Sequence, residues 1–129
     1  MSNREDMRVS ASAYIVARGY LAIALRKKFR DLVFKDYIDY LAFLTKEAER
    51  QSHIRKYRYI PSFMVEKILD FLATKGIALH YALRKKVIRE RAERVLDNKA
   101  SNVVIFGGGL DVLAYALSDK YEKVNFVEF

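Results

Sequence analysis

The sequence contains no cysteine, which excludes a disulfide framework and a thiolate metal site. Its two histidines, His53 and His80, lie far apart in the sequence and belong to no clustered ligand pattern, so we predict no metal site. No apolar run approaches the roughly 20 residues that a membrane helix needs. The polar N-terminus is followed by no apolar secretory core. We therefore expect a cytoplasmic protein without a membrane partner.

The chain is strongly basic. Twenty-four Lys and Arg residues stand against 16 Asp and Glu residues, which gives a formal net charge of +8. Such a field attracts anions, and the basic segments 26–30, 50–58 and 84–94 leave a nucleic-acid-binding module open as an alternative. A basic surface that keeps the protein soluble is the favoured interpretation, and we rank nucleic acid last among the partners.

Most of the chain has helical periodicity. Apolar residues recur at helical spacing and predict helices at 10–28, at 36–51, from Ser62 onward and at 79–96. Ser10 or Ser12 is a suitable cap for the first helix, and Gly76 suits a left-handed residue after the third. Pro61 marks a boundary, whereas the basic and aromatic segment 52–60 gives no clear prediction.

The most informative stretch lies near the end of the sequence. A β-branched run at 103–106 leads into Gly107, Gly108 and Gly109, and an amphipathic segment follows directly. A second short run, Val124–Glu128, ends on an acid. This order predicts a buried parallel strand, a tight turn, a helix and a second strand.

Glycines at the end of a buried strand allow the main chain to approach a ligand closely. The N-terminus of the following helix attracts anionic groups, and an acid at the end of the next strand can accept both hydroxyls of a ribose. Gly107, Gly109 and Glu128 fit these roles. The alternative is a glycine turn that binds nothing. No Ser-His-Asp grouping is present, and no Walker-type lysine follows the glycines.

The segment Val103–Asp111 resembles the first motif of class I S-adenosylmethionine-dependent methyltransferases. It is similar in particular to the branch that holds leucine carboxyl methyltransferases and polyketide-type O-methyltransferases. Ser10–Ala13 with Arg18 is similar to the opening helix of that branch, and Leu83–Ile88 to its Leu-Arg-x-x-x-Ile segment. Two departures concern the substrate side of the site: Val112-Leu113 replaces the usual Thr-Arg, and Arg89 stands where an aspartate is common.

The resemblance implies a set of cofactor-binding residues. The three glycines 107–109 would lie against the methionine part of S-adenosylmethionine, and Glu128 would bind its ribose. Arg84 would pair with the cofactor carboxylate, a task suited to a planar bidentate donor. Asp111 would lie near the cofactor amino group. A solvated helix arginine is the alternative for Arg84, and a helix cap is the favoured alternative for Asp111. Catalytic residues are not identified.

These inferences combine into an α/β fold class. A helical N-terminal or lid region at 1–100 would be followed at 101–129 by the first β-α-β unit of a Rossmann-like methyltransferase fold. The resemblance implies about seven strands and the sequence predicts two, so we expect this fold to be truncated. We expect an N-terminal fragment of an enzyme that methylates a carboxylate or hydroxyl of a small molecule or protein, inactive by itself. The runner-up is a self-associating module, a homo-oligomer formed through the open strand edge.

Overall fold

The computed structural model of the chain describes residues 8–72, 74–106 and 110–129. The described residues form a helix-rich α/β arrangement with one small parallel sheet. The order of elements is α1 (Ala11–Ala24), α2 (Lys35–Ala48), α3 (Ser52–Arg55), α4 (Ser62–Leu72), α5 (Ile77–Asp97), β1 (Asn102–Ile105), α6 (Leu113–Ser118) and β2 (Asn125–Glu128). Two short 3₁₀ turns occupy Lys27–Leu32 and Lys56–Tyr59.

The first helix is capped by Ser10, whose hydroxyl accepts a hydrogen bond from the amide of Ala13 at 3.1 Å. The predicted end at Lys28 is wrong, because α1 ends at Ala24. The chain then bends into the 3₁₀ turn at Lys27–Leu32, which allows Phe29 and the apolar residues after it to pack against the core. The basic residues that follow Leu25 therefore lie beyond the helix.

The segment 52–60 folds into α3 and a 3₁₀ turn that pack beside α1. The guanidinium of Arg18 donates hydrogen bonds to the carbonyls of Tyr57, at 2.7 Å, and Ile60, at 2.5 Å. The Tyr57 carbonyl also accepts from the amide of Ile60 at 3.2 Å, so the two hydrogen bonds from Arg18 join α1 to the end of the 3₁₀ turn.

The third and fourth predicted helices are α4 and α5. Gly76 between them has φ of +81°, as predicted for a left-handed residue, and α5 begins directly after it. Helix α4 approaches α1 closely at Gly19, where a Cβ atom would stand 2.4 Å from Leu69 Cδ1. The absence of a side chain at Gly19 therefore permits this contact.

The two strands are parallel neighbours, with Asn102 opposite Asn125 and Ile105 opposite Glu128. Helix α6 lies between them in the chain and packs against α2 and β2. The strand–helix–strand order predicted for 103–128 is therefore present. The predicted burial of the first strand is wrong, because only one of its two faces packs on the core and Val104 on the other face is 51% exposed. The division of the chain into 1–100 and 101–129 stays a prediction.

One hydrophobic cluster joins the helical part to the strand unit. Val103, Ile105 and Phe126 of the strands pack against buried residues that come from both parts: Ala17, Tyr20, Ile23, Tyr37, Leu41, Ala78, Ala82, Leu96, Val112, Leu113, Ala116 and Leu117. Within the described ranges, the structure contains no helix that is both long enough and apolar enough to cross a membrane.

Candidate functional site

The carboxyl ends of β1 and β2 lie at the same edge of the sheet, since Ile105 pairs with Glu128. Asp111 follows shortly after β1 and precedes α6. In open parallel sheets this edge is where ligands bind. The predicted contacts of Gly107, Gly108 and Gly109 lie outside the described residues and stay predictions.

Asp111 is held by groups from three helices. Its Oδ1 atom accepts hydrogen bonds from the hydroxyl of Tyr37 on α2 and from the amide of Leu113, at 3.1 Å. Its Oδ2 atom forms an ion pair with Nζ of Lys85 on α5. The side chains of Asp111 and Lys85 are each 12% exposed. Because Leu113 is the first residue of α6, the carboxylate also satisfies a free amide at the start of that helix.

Tyr37 is almost fully buried, and its hydroxyl is a donor to Asp111. Burial raises the pKa of the Tyr37 hydroxyl well above its usual range, and the charge and hydrogen bond of Asp111 raise it further. The hydroxyl therefore stays protonated at any physiological pH. A protonated donor on the core side fixes the orientation of the Asp111 carboxylate.

Glu128 faces the same cluster. Side chains alternate along β2, so Glu128 lies on the side of Phe126, which packs on the core, and Val127 on the open side. Burial raises the pKa of the Glu128 carboxyl, the charge of Asp111 raises it further, and the charge of Lys85 opposes this shift. The two carboxylates and the ammonium of Lys85 therefore interact at the strand ends.

Arg84 is not brought into this cluster. It lies on an exposed part of α5, and no hydrogen bond or ion pair engages it among the described residues. Its neighbour Lys85 is the cation that reaches Asp111. The predicted role of Arg84 toward a cofactor carboxylate is not tested by this arrangement and stays a prediction.

Sequence reasoning missed both Lys85 and Tyr37. The buried residues Ala82 and Arg89 are separated from Lys85 by one helical turn on either side, so helical spacing could have placed Lys85 on the inner face of α5. Tyr37 is separated from Asp111 by 74 positions in the sequence. No local sequence pattern links two residues so far apart, and only the tertiary fold brings them into contact.

The charge of the cluster suits a cationic ligand with several polar groups. Two carboxylates stand against one ammonium, an excess of one negative charge in a protein whose net charge is +8. Carboxylates at such an edge can accept hydrogen bonds from hydroxyl and ammonium groups.

A parallel strand pair joined by a helix agrees with the α/β class expected for the chain. The family model described as leucine carboxyl methyltransferase matches residues 14–129, which is most of the chain. The chain belongs to the leucine carboxyl methyltransferase family. No curated protein and no solved structure matches it significantly.

Proposed function

We propose that the chain binds S-adenosylmethionine at the carboxyl edge of the sheet and serves methyl transfer to a carboxylate or hydroxyl oxygen. Family membership supports the methyltransferase class. The single observation that carries the cofactor site is the convergence of Asp111, Glu128 and Lys85 at the ends of two parallel strands.

The donor set fits the polar groups of the cofactor. Glu128 would accept hydrogen bonds from the two ribose hydroxyls, and Asp111 would accept from the ammonium group. Arg84 and Lys85 are the cations within one helical turn of α5 that suit the cofactor carboxylate. With an ammonium, a sulfonium and one carboxylate, the cofactor carries one net positive charge, which complements the excess negative charge of the cluster.

The cofactor, when bound, supplies a methyl group made electrophilic by the adjacent sulfonium. The task of the chain is then to orient the ligand, because methyl transfer depends on alignment of the acceptor oxygen with that methyl group. Tyr37 and the amide of Leu113 fix the Asp111 carboxylate, and the strand register fixes Glu128. The acceptor and any base that assists it are outside this proposal.

The test is a titration of the 129-residue chain with S-adenosylhomocysteine, followed by ¹H–¹⁵N NMR. Because the site residues lie on one edge of a two-stranded sheet, we expect weak binding, with a dissociation constant on the order of 1 mM. The amides around Asp111 and Glu128 should shift most. A Glu128→Gln variant should bind about tenfold more weakly, because the amide is uncharged and replaces one of the two acceptor oxygens with a donor.

Glu122→Gln is the matched control, since Glu122 is an exposed acid between α6 and β2. It makes the same change of charge away from the strand ends and should leave the dissociation constant unchanged. Shifts centred elsewhere on the chain, no shift at 10 mM ligand (about tenfold above the expected constant), or equal effects of the two variants would refute the cofactor proposal. Methyl transfer to a test carboxylate by the chain alone would refute the expectation that it is inactive.

We also propose that the open face of the sheet pairs two copies of the chain. Val104 and Val127 stand opposite each other on that face. The rings of Phe106 and Phe129 stack at 5.5 Å between centroids and are 78% and 74% exposed. A contiguous apolar face beside strand edges that pair with no further strand in the described part of the chain favours self-association.

Light scattering at micromolar concentration tests this pairing. We expect a dimer, which Phe129→Ser should convert to a monomer. Phe71→Ser is the control, because Phe71 on α4 is even more exposed, at 88%, but lies outside the sheet. A monomeric parent chain, or equal loss of the dimer in both variants, would exclude the sheet face as the interface.

A further inference from the structure

We propose a second ligand site, for a small organic cation such as an alkylammonium, in an aromatic cavity between α2 and α6. The cavity has a volume of about 360 Å³. It is lined by Asp39, Tyr40, Phe43, Leu44 and Tyr115. None of these residues belongs to the cluster around Asp111, so the proposal is independent of the cofactor site.

The walls of the cavity are built on two helices. The rings of Tyr40 and Tyr115 adjoin at 6.0 Å between centroids and are inclined by 31°. The hydroxyl of Tyr40 donates to the carboxylate of Asp119, which fixes the position of that ring. On α2, Asp39 and Phe43 are separated by one helical turn and therefore share one side of the helix.

The rings of this cavity are among the aromatic rings over which no lysine or arginine of the described chain lies. Seven rings lie beneath a lysine or arginine of the chain itself: Tyr14, Phe29, Phe34, Tyr57, Tyr59, Tyr81 and Tyr121. Within residues 8–72, 74–106 and 110–129, no cation of the chain lies over Tyr40, Phe43 or Tyr115. Rings elsewhere in the described chain also lack a cation, so what distinguishes Tyr40, Phe43 and Tyr115 is that they line a cavity together with an exposed acid, Asp39.

Asp39 lines the same cavity, and Asp119 lies beside it at the Tyr40 hydroxyl. The carboxylate of Asp39 is exposed and forms no ion pair within the described part of the chain. The hydrogen bond to Asp119 raises the pKa of the Tyr40 hydroxyl, and the charges of Asp119 and Asp36 raise it further. The charges that act on this ring are therefore negative, against the basic character of the whole chain.

Aromatic faces attract cations through the negative charge of their π-systems, and a nearby carboxylate adds to that attraction. The cavity volume lies at the lower end of the range of about 300 to 1,000 Å³ that is common for small-molecule sites. A compact ammonium with an apolar surface, of the size of choline, suits this combination. A neutral molecule of the same shape would gain the apolar contact but not the electrostatic attraction.

The experiment compares choline with 3,3-dimethylbutan-1-ol, which has the same shape and no charge. Both are titrated into the ¹⁵N-labelled 129-residue chain. We expect choline to shift the amides of residues 39–44 and 113–118, and to bind about two- to fivefold more tightly than the neutral alcohol. Tyr115→Leu should weaken choline binding by a similar factor, because it removes one ring face at a half-exposed position.

Asp39→Asn should also weaken choline binding while leaving the binding of the neutral alcohol unchanged. Asp31→Asn is its matched control, since Asp31 is exposed in the 3₁₀ turn before α2 and offers only its main-chain carbonyl, to Lys86. Glu128→Gln should not alter the shifts, which separates this cavity from the strand edge. Equal affinity for the two ligands, equal effects of Asp39→Asn and Asp31→Asn, or shifts elsewhere would overturn the proposal.

Discussion

Arg89 and Asp36 form a bidentate ion pair, in which the two terminal guanidinium nitrogens donate to the two carboxylate oxygens at 2.6 and 2.7 Å. The Arg89 side chain is 8% exposed, its Nε donates to Glu93 at 3.2 Å, and its guanidinium lies 4.1 Å from the ring centroid of Phe34. The role of Arg89 in this chain is structural, because it joins α5 to the first turn of α2.

Removal of the carboxylate from this pair should destabilise the protein. We expect Asp36→Asn to lower the free energy of unfolding by about 1 to 2 kcal/mol, because a buried guanidinium loses one of its two acidic partners while the partly exposed site admits some water. Urea denaturation measures this loss. Asp39→Asn, one turn along α2 at an exposed position, should change stability by less than about 0.5 kcal/mol.

A double variant checks the cause. Addition of Arg89→Met to Asp36→Asn replaces the unpaired cation with an apolar side chain, and should recover most of the lost stability. If the double variant is less stable than Asp36→Asn alone, Arg89 stabilises the fold through contacts other than this pair.

The same ion pair should make the free energy of unfolding depend on pH in the acid range. The hydrogen bonds from Arg89 are the main cause that lowers the pKa of the Asp36 carboxyl below its usual value. A lowered folded-state pKa contributes stability that is present above the unfolded value of about 3.9, and this stability is lost as pH falls through the folded pKa. The stability difference between the parent chain and Asp36→Asn should therefore shrink as the pH falls below about 4. Denaturation curves of both proteins at a series of pH values measure this difference. A stability difference that stays constant with pH would contradict the linkage.

Tyr37 and Tyr20 provide a matched pair of buried hydroxyls, with ring centroids 5.3 Å apart. The Tyr37 hydroxyl donates to Asp111, whereas the Tyr20 hydroxyl has no hydrogen-bond partner among the described residues, although the main chain of Phe34 lies near it. Tyr37→Phe should cost about 1 to 2 kcal/mol of stability, because a carboxylate loses a donor.

Tyr20→Phe should be neutral or slightly stabilising, because it removes a buried polar group that lacks a partner. Thermal unfolding of the two variants under identical conditions compares them. A cost for Tyr20→Phe that equals the cost for Tyr37→Phe would show that the Tyr20 hydroxyl is bonded in solution.

The ionised carboxylate of Glu128 should lower the free energy of unfolding at neutral pH, although we propose that it binds the cofactor. Burial is the main cause that raises the pKa of its carboxyl. A raised folded-state pKa means that the folded chain holds the proton more tightly, so stability falls as pH rises through that pKa. Glu128→Gln should therefore raise the urea midpoint at pH 7 and leave it unchanged well below pH 4.3, about the usual pKa of a glutamate carboxyl, where the group is protonated in both states. A lower midpoint at pH 7 would show that the carboxylate has a stabilising partner.

The strand unit was predictable because its signals are local. The β-branched run, the glycines and the acid at Glu128 follow one another, and the parallel pairing of β1 with β2 agrees with that order. The end of α1 was mispredicted, because Arg26, Lys27 and Lys28 suit the last turn of a helix, whereas α1 ends before them. There, packing of Phe29 on the core overrides helical propensity.

The sequence by itself determined the presence of α1, α2, α4, α5 and α6, the parallel strand pair and the position of Glu128 at a strand end, because periodicity and turn residues act between neighbours in the chain. Only the tertiary structure decided that Lys85, rather than Arg84, reaches Asp111, and that Tyr37 supplies the third contact. Contacts between residues far apart in the sequence depend on how the helices pack. That packing is set by the fit of the whole core rather than by any single motif.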